Sequence, residues 1–266
     1  MYDFNYLRPG SLADAVKALA GSSDSKLLAG GMTLVPTLKQ RLANPADLID
    51  LAAIAELKGI KVDGTSVTIG AMTTHGEVAH SAEVQKAIPA LAVLAEGIGD
   101  PQVRNRGTIG GSICNNDPAA DYPAALVGLD ATVQTNKRKI KADDFFKGMF
   151  ETALEDGEIV TAVSFPKPEK AGYAKFPNPA SRYAMVGVMV AKTGGGVRVA
   201  VTGAKANVFR ATEIEQALAK SFTPEAAKAV KMPTADVNAD LHGSAEYRAA
   251  MISVIASRAV AAALAR

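Results

Sequence analysis

The chain has 266 residues, 48% apolar and 21% charged, with a formal net charge of +2 at neutral pH. That length holds one large domain or two modest ones with a real core, and the near-balance of charge excludes the strongly basic face of a bulk nucleic-acid binder. The single cysteine, Cys114, excludes an internal disulfide and also an iron–sulfur cluster, which takes about four thiolates, so a reducing compartment is expected.

Residues 1–50 read as strand, helix, strand, helix, strand. Ser11-Leu12-Ala13-Asp14 resembles a capping box opening a helix with Ala15, Val16 and Leu19 on its apolar face. Lys26 to Ala29 is a short buried strand. Thr33 is placed to cap a second helix running through Leu42, with Pro36 in its first turn, where no helical N–H bond is lost. Ala46 to Leu51 returns as a strand. The N-terminus lacks a basic region followed by an apolar stretch, and no run approaches the roughly twenty apolar residues of a membrane span. A cytoplasmic protein with no membrane span is the expectation.

From Leu57 to about Pro166 the pattern becomes α+β. Ile60–Val62 and Val67–Ile69 flank Asp63-Gly64, a hairpin signal. Helices follow from about Glu77 and near Pro89 to Ala95. Ala131 to Gln134 and Arg138 to Ile140 form a second hairpin with Asn136 in its turn. The basic run Lys137-Arg138-Lys139 with Lys141 reads as the solvated tip of that hairpin. Pro166-Lys167-Pro168 marks a boundary. Beyond it, Ser181 to Val190, Val197 to Gly203 and Ala204 to Arg210 suit an antiparallel sheet, two of its strands joined by Gly194-Gly195-Gly196. Ala245 to Arg266 is one amphipathic helix whose core stripe is read as Tyr247, Met251, Val254, Ile255 and Ala259. The division expected is 1–166, with parts 1–56 and 57–166, then 167–266.

Two double-glycine segments carry the chemistry. The first is Ala29-Gly30-Gly31-Met32-Thr33. The second is Gly107-Thr108-Ile109-Gly110-Gly111-Ser112, which runs into Asn115-Asn116-Asp117-Pro118-Ala119-Ala120-Asp121. Paired glycines turn sharply and leave backbone N–H groups uncovered, and successive uncovered N–H groups form a concave nest for anions. Two nests suit a ligand with bridged phosphates, a dinucleotide. The phosphate loop Gly-x-x-x-x-Gly-Lys-Ser/Thr, the Gly-x-Gly-x-x-Gly fingerprint after the first strand and the Gly-x-Ser-x-Gly elbow are all missing. His75 and His80 lie five residues apart, on different helix faces, which argues against a zinc pair. His75 is either a hydrogen-bonding residue near the ligand or a plain structural histidine. Cys114 reads as buried packing. Asp117 and Asp121 are either caps of a turn and a helix or, for Asp121, a buried acceptor for the N3–H of a flavin ring. Asp117, before a proline, fits the capping role better.

These segments, with Phe4 to Pro9, the run Ile98 to Ser112, Asp143-Asp144-Phe145-Phe146, Gly157 to Val160, Asn178 to Tyr183 and Gly243 to Arg248, resemble the FAD-binding medium subunit of the molybdenum hydroxylases, the carbon monoxide dehydrogenase and xanthine dehydrogenase family. The likeness covers nearly the whole chain. It implies an α+β fold: a two-part FAD-binding domain of the vanillyl-alcohol-oxidase type, then a small C-terminal α+β domain with an antiparallel sheet. It implies that Ala29, Gly30, Gly31, Met32, Thr33 and Leu34, with Thr108, Ile109, Gly110, Gly111 and Ser112, hold the pyrophosphate and ribityl region. It further implies that Asp121 meets the flavin ring edge, that Ile98 and Val160 pack on FAD, that Lys175 approaches it, that Asn115 adds a contact and that Tyr183 lies over the flavin face. Met32 departs from the family pattern, where a polar residue is common.

The role implied is electron transfer. A large subunit carries the molybdopterin site, a small subunit carries two 2Fe–2S clusters, and electrons reach FAD on this chain before leaving to an external acceptor. FAD supplies the redox chemistry, so no acid or base on this chain is assigned as catalytic and no metal site is expected. Two other readings stand beside this one: a self-sufficient FAD oxidase or reductase on the same fold, and a non-enzymatic nucleotide-binding assembly protein. The lack of a dedicated acid–base pair beside the glycines favours the subunit over the first, and the full-length likeness favours it over the second.

Overall fold

The computed structural model describes residues 1–265. Strands β1 (Asn5–Leu7), β2 (Ser25–Leu28) and β3 (Asp47–Asp50) form a parallel sheet in the order β1-β3-β2. Between them lie α1 (Leu12–Ala20) and α2 (Leu34–Lys39). Ser11 caps α1 by accepting the Asp14 N–H, which spares one of the unpaired donors of the first turn. Ala15 of α1 is fully enclosed with Ile49, Leu51, Ile54, Leu57, Met72 and Ile159. Helix α2 stops short of Leu42. Arg41 takes left-handed backbone (φ 59°), and the Leu42 N–H bonds back to Thr37 O at 3.0 Å, a Schellman-type closure without glycine.

The second layer is a five-stranded antiparallel sheet in the order β4-β5-β10-β6-β7, built from β4 (Ile60–Val62), β5 (Ser66–Gly70), β6 (Thr132–Thr135), β7 (Lys139–Lys141) and β10 (Val160–Pro166). Both expected hairpins form, β4 with β5 and β6 with β7. Six short helices lie between β5 and β6: α3 (His75–His80), α4 (Ala82–Ala87), α5 (Pro89–Glu96), α6 (Pro101–Arg104), α7 (Ile109–Asn115) and α8 (Tyr122–Gly128). Helix α3 begins earlier than Glu77, because Thr74 and Glu77 form a reciprocal capping box. A short helix α9 (Ala142–Phe145) and the small hairpin β8 (Phe146–Gly148) and β9 (Glu151–Thr152) precede β10. The basic run is only partly a solvated tip: Arg138 makes two bonds of 3.0 Å to the buried Glu158 carboxylate.

The C-terminal sheet has the order β11-β12-β13-β14, all antiparallel, from β11 (Lys170–Pro177), β12 (Ala184–Thr193), β13 (Gly196–Thr202) and β14 (Phe209–Arg210). Of the strand expected over Ala204 to Arg210, only the last two residues pair. Helices α10 (Thr212–Lys220) and α11 (Pro224–Lys228) follow, where no element was expected, and α12 (Ala245–Leu264) closes the chain. One face of the sheet packs on the middle layer, where Tyr173, Met189, Ala191 and Ala200 join the core of α5 and α8. The other face packs on α12, so tightly that a Cβ at Gly172 would stand 2.1 Å from Ala259 O.

The buried stripe of α12 differs from the expected one. Ile255 and Ala259 are enclosed, with Ile252, Ala256, Val260 and Ala263, whereas Tyr247 is 44% exposed and Met251 and Val254 only half-buried. The alanines carry the contact because β11 approaches closely. By length and composition alone α12 would suit a membrane span, but its apolar face is used in this core. Its expected last residue, Arg266, lies outside the described residues.

Candidate functional site

The two glycine segments, eighty residues apart in sequence, touch. A Cβ on Gly30 would fall 1.9 Å from Arg106 O and 2.9 Å from the Gly107 Cα, and one on Gly111 would lie 3.4 Å from the Ala29 Cβ. Gly31 has φ +75°, a conformation that costs an L-residue about 1–2 kcal/mol. On its far side Gly107 packs against His75, whose Nε2 would be 2.6 Å from a Cβ there. The His75 N–H also bonds Gly107 O at 2.9 Å. This packing favours the structural reading of His75. Burial, with Arg104 nearby, lowers its pKa to about 4, so the ring is neutral. It lies 5.4 Å from the Tyr122 ring.

The segments differ in their amides. Among the described residues, the N–H groups of Ala29, Gly30, Gly31, Met32, Thr33 and Leu34 have no protein acceptor. All six residues are at least partly exposed. Thr33 stands before α2 but makes no side-chain cap, which leaves the Thr33 and Leu34 N–H groups open. The second segment is not a nest. It is the start of α7: Ile109 N bonds Thr73 O (3.1 Å), Gly110 N bonds Ala71 O (2.8 Å) and Ser112 N bonds Thr108 O (3.0 Å). Gly111 N bonds the Thr108 hydroxyl at 3.0 Å. Here the glycines serve close approach, since a Cβ on Gly110 would meet Ala71 at 2.7 Å. The expectation of two anion nests is therefore corrected to one open loop braced by a helix start. Ser112 and Asn115 are half-buried on α7, and Cys114 is exposed rather than packed.

Asp121 lies at the start of α8 but caps nothing. Its carboxylate, 5% exposed, accepts the Tyr173 hydroxyl at 2.5 Å and pairs with Lys175 Nζ at 3.0 Å. Lys175 also donates to Gly97 O at 2.7 Å. Burial raises the Asp121 pKa, against the lowering effect of Lys175 and Tyr173. Asp117 takes the turn role, accepting the Ala119 N–H at 2.8 Å. The segment between is fixed to the C-terminal sheet: the Thr202 hydroxyl donates to Pro118 O and Ala120 O, and Gly203 N to Pro118 O.

A cavity of about 590 Å³ opens beside Lys175, lined also by Gly97, Gly99, Arg104, Pro177 and Arg182. Ile98, half-buried, sits between two of these lining residues. Tyr183, 47% exposed, follows the Asn178–Arg182 loop, and burial together with Asp117 and Asp121 raises its hydroxyl pKa. Val160 is 4% exposed at the start of β10, in the same core cluster as Ile109 of the second glycine segment. Tyr173 escaped the sequence reading. The alternation Tyr173-x-Lys175 on a strand was the available signal, since it places both side chains on one face. The arrangement offers an open run of amides for an anionic bridge and, at the start of α8, a buried carboxylate held by a lysine and a tyrosine.

Residues 2–168 match the family described as the FAD binding domain in molybdopterin dehydrogenase. The nicotine 6-hydroxylase medium subunit of Paenarthrobacter nicotinovorans is 36% identical, over 98% of this chain and 97% of that protein. The carbon monoxide dehydrogenase medium chain of Hydrogenophaga pseudoflava is 38% identical, over 99% and 98%. Among solved structures, the carbon monoxide dehydrogenase of Hydrogenophaga pseudoflava that lacks the Mo-pyranopterin moiety superposes with a TM-score of 0.87 at 38% identity, covering 98% of this chain and 97% of that one.

Proposed function

We propose, from the premise that this chain belongs to the family of FAD-binding domains in molybdopterin dehydrogenases, that it is the FAD-carrying electron-transfer subunit of a molybdopterin-containing hydroxylase or dehydrogenase. Electrons arrive from 2Fe–2S clusters of a small partner subunit, and a large partner subunit holds the molybdopterin. When bound, FAD supplies the redox chemistry that takes up these electrons and delivers them to an external acceptor.

The chain's own residues fit that group. The Ala29–Leu34 loop offers open amides to the negatively charged pyrophosphate. Gly30 permits the contact with Arg106 and Gly107 that sets the loop's position, and Gly31 supplies its left-handed turn. Thr108, Ile109, Gly110, Gly111 and Ser112 brace the loop from α7 rather than lending amides, with Ser112 and Asn115 near enough in sequence to that brace to add side-chain contacts. Ile98, Asp121, Lys175 and Tyr183 form the surroundings of the flavin ring in this reading, and Val160 supports it from the core. None of these residues need act as acid or base. The chain orients the cofactor and sets its electrostatics. A reducing, cytoplasmic setting belongs to the same proposal, supported by the single unpaired cysteine.

The relatives named above act on different compounds, nicotine and carbon monoxide, on medium subunits of comparable identity. That is expected if the substrate is met only by the large subunit. The observation carrying the proposal is the run of six unpaired amides at the point where two distant glycine segments meet. Purification of the native complex tests it. The expected result is a yellow protein with about one FAD per chain and two co-purifying subunits, one with molybdopterin and one with iron–sulfur clusters; a colourless chain that takes up no FAD refutes it.

A further inference from the structure

Strand β11 sends two side chains to one carboxylate. Tyr173 and Lys175 share a face of the strand, and both meet Asp121, Tyr173 at 2.5 Å and Lys175 at 3.0 Å. Tyr173 is 7% exposed and belongs to the middle core although its strand belongs to the C-terminal sheet. The neighbouring strand is shaped for its hydroxyl. A Cβ at Gly187 of β12 would lie 2.5 Å from that oxygen and 3.3 Å from Cζ. Asp121 makes no cap to its own helix, so its orientation comes from these two donors of another sheet.

We propose that Tyr173 is a positioning residue for the cofactor: its hydroxyl, by donating to Asp121, aims that carboxylate and holds its negative charge beside the flavin ring. The proposal rests on the FAD reading above. A hydrogen bond to a carboxylate favours its charged form, and burial disfavours it. Removing the hydroxyl leaves Lys175 as the one side-chain donor facing Asp121, so the carboxyl's pKa rises further and the negative charge it holds beside the ring is reduced. A flavin gains electrons more readily once a nearby negative charge has gone.

The test is the flavin midpoint potential of the FAD-loaded protein, measured against a reference dye. Tyr173→Phe, which keeps the ring, raises the potential. Asp121→Asn raises it too, and the double variant shifts no further than Asp121→Asn alone, because the tyrosine acts only through the aspartate. Gly187→Ala crowds the hydroxyl without deleting it and moves the potential in the same direction, which decides the question if Tyr173→Phe does not fold. An FAD-loaded Tyr173→Phe with wild-type potential, a double variant whose shift is the sum of the two, or an unmoved Gly187→Ala overturns the proposal and leaves the FAD reading standing. A wild-type protein that binds no FAD removes that reading, and this one with it.

Discussion

Gly30→Ala probes the meeting of the two segments. The new methyl carbon would stand 1.9 Å from Arg106 O and 2.6 Å from its carbonyl carbon, so backbone must move by at least about 1 Å, since overpacked sites relieve such overlaps by backbone shifts. The partner is main chain of the turn that leads into α7, not the flexible end of a side chain. Overpacking of this kind costs about 1–3 kcal/mol. If the loop carrying the open amides gives way, that cost appears in ligand binding, as a loss of about tenfold to a hundredfold in FAD affinity. The assay is flavin fluorescence during titration of the apo-protein, with the 450 nm absorbance per chain after gel filtration as a second measure. Gly10→Ala is the control, because nothing lies within 4 Å of its would-be Cβ. A Gly30→Ala protein that folds and binds FAD as tightly as the Gly10→Ala control refutes the claim that this contact shapes the loop.

Three further outcomes are expected. His75, with its pKa lowered to about 4, binds its proton more weakly in the folded state than in the unfolded state, where histidine titrates near 6.5. Stability is unaffected above that value and falls as pH drops from about 6.5 to 4, by about 3 kcal/mol in all; urea melts across this window check it, and a His75→Gln variant with the same slope contradicts it. Glu158, held by Arg138 at about 2, behaves the other way: its contribution is present above the unfolded carboxyl pKa and is lost as pH falls from about 4.5 towards 2. Glu158→Gln lowers stability at neutral pH by about 1–2 kcal/mol, the range for losing charged hydrogen bonds when Arg138 stays partly solvated, and equal melting temperatures for the two proteins at pH 7 rule this out. Lys175→Met leaves the buried Asp121 with one donor and lowers FAD retention, read by absorbance after dialysis; full retention returns Lys175 to a packing role.

The alternation and punctuation of the chain made its strands and hairpins readable. Asp63-Gly64 and Asn136 sit in the turns they signalled, and Ser11 caps the helix it opens, because these effects are local. What stayed hidden depends on partners far away in sequence. The helical start at Ile109 looked like a turn because its two glycines reported close approach to Ala71, a contact that only the fold creates. The stripe of α12 differs for a related reason: Tyr247 and Met251 are larger than Ala256 and Ala263, yet the short side chains win where β11 comes nearest. Helices α10 and α11 are brief and depend on packing against the C-terminal sheet and α12. At the site, Asp121 stood out by its small, polar surroundings, while Tyr173 became meaningful only when β11 was set against α8.

Hydrogen exchange of the apo-protein with and without added FAD tests the central claim most directly, because it reads the amides themselves. The account predicts strong new protection over Ala29–Leu34 on FAD addition and little change over Ile109–Ser112, whose N–H groups already have acceptors. Unchanged exchange over Ala29–Leu34 in protein carrying bound FAD would contradict it.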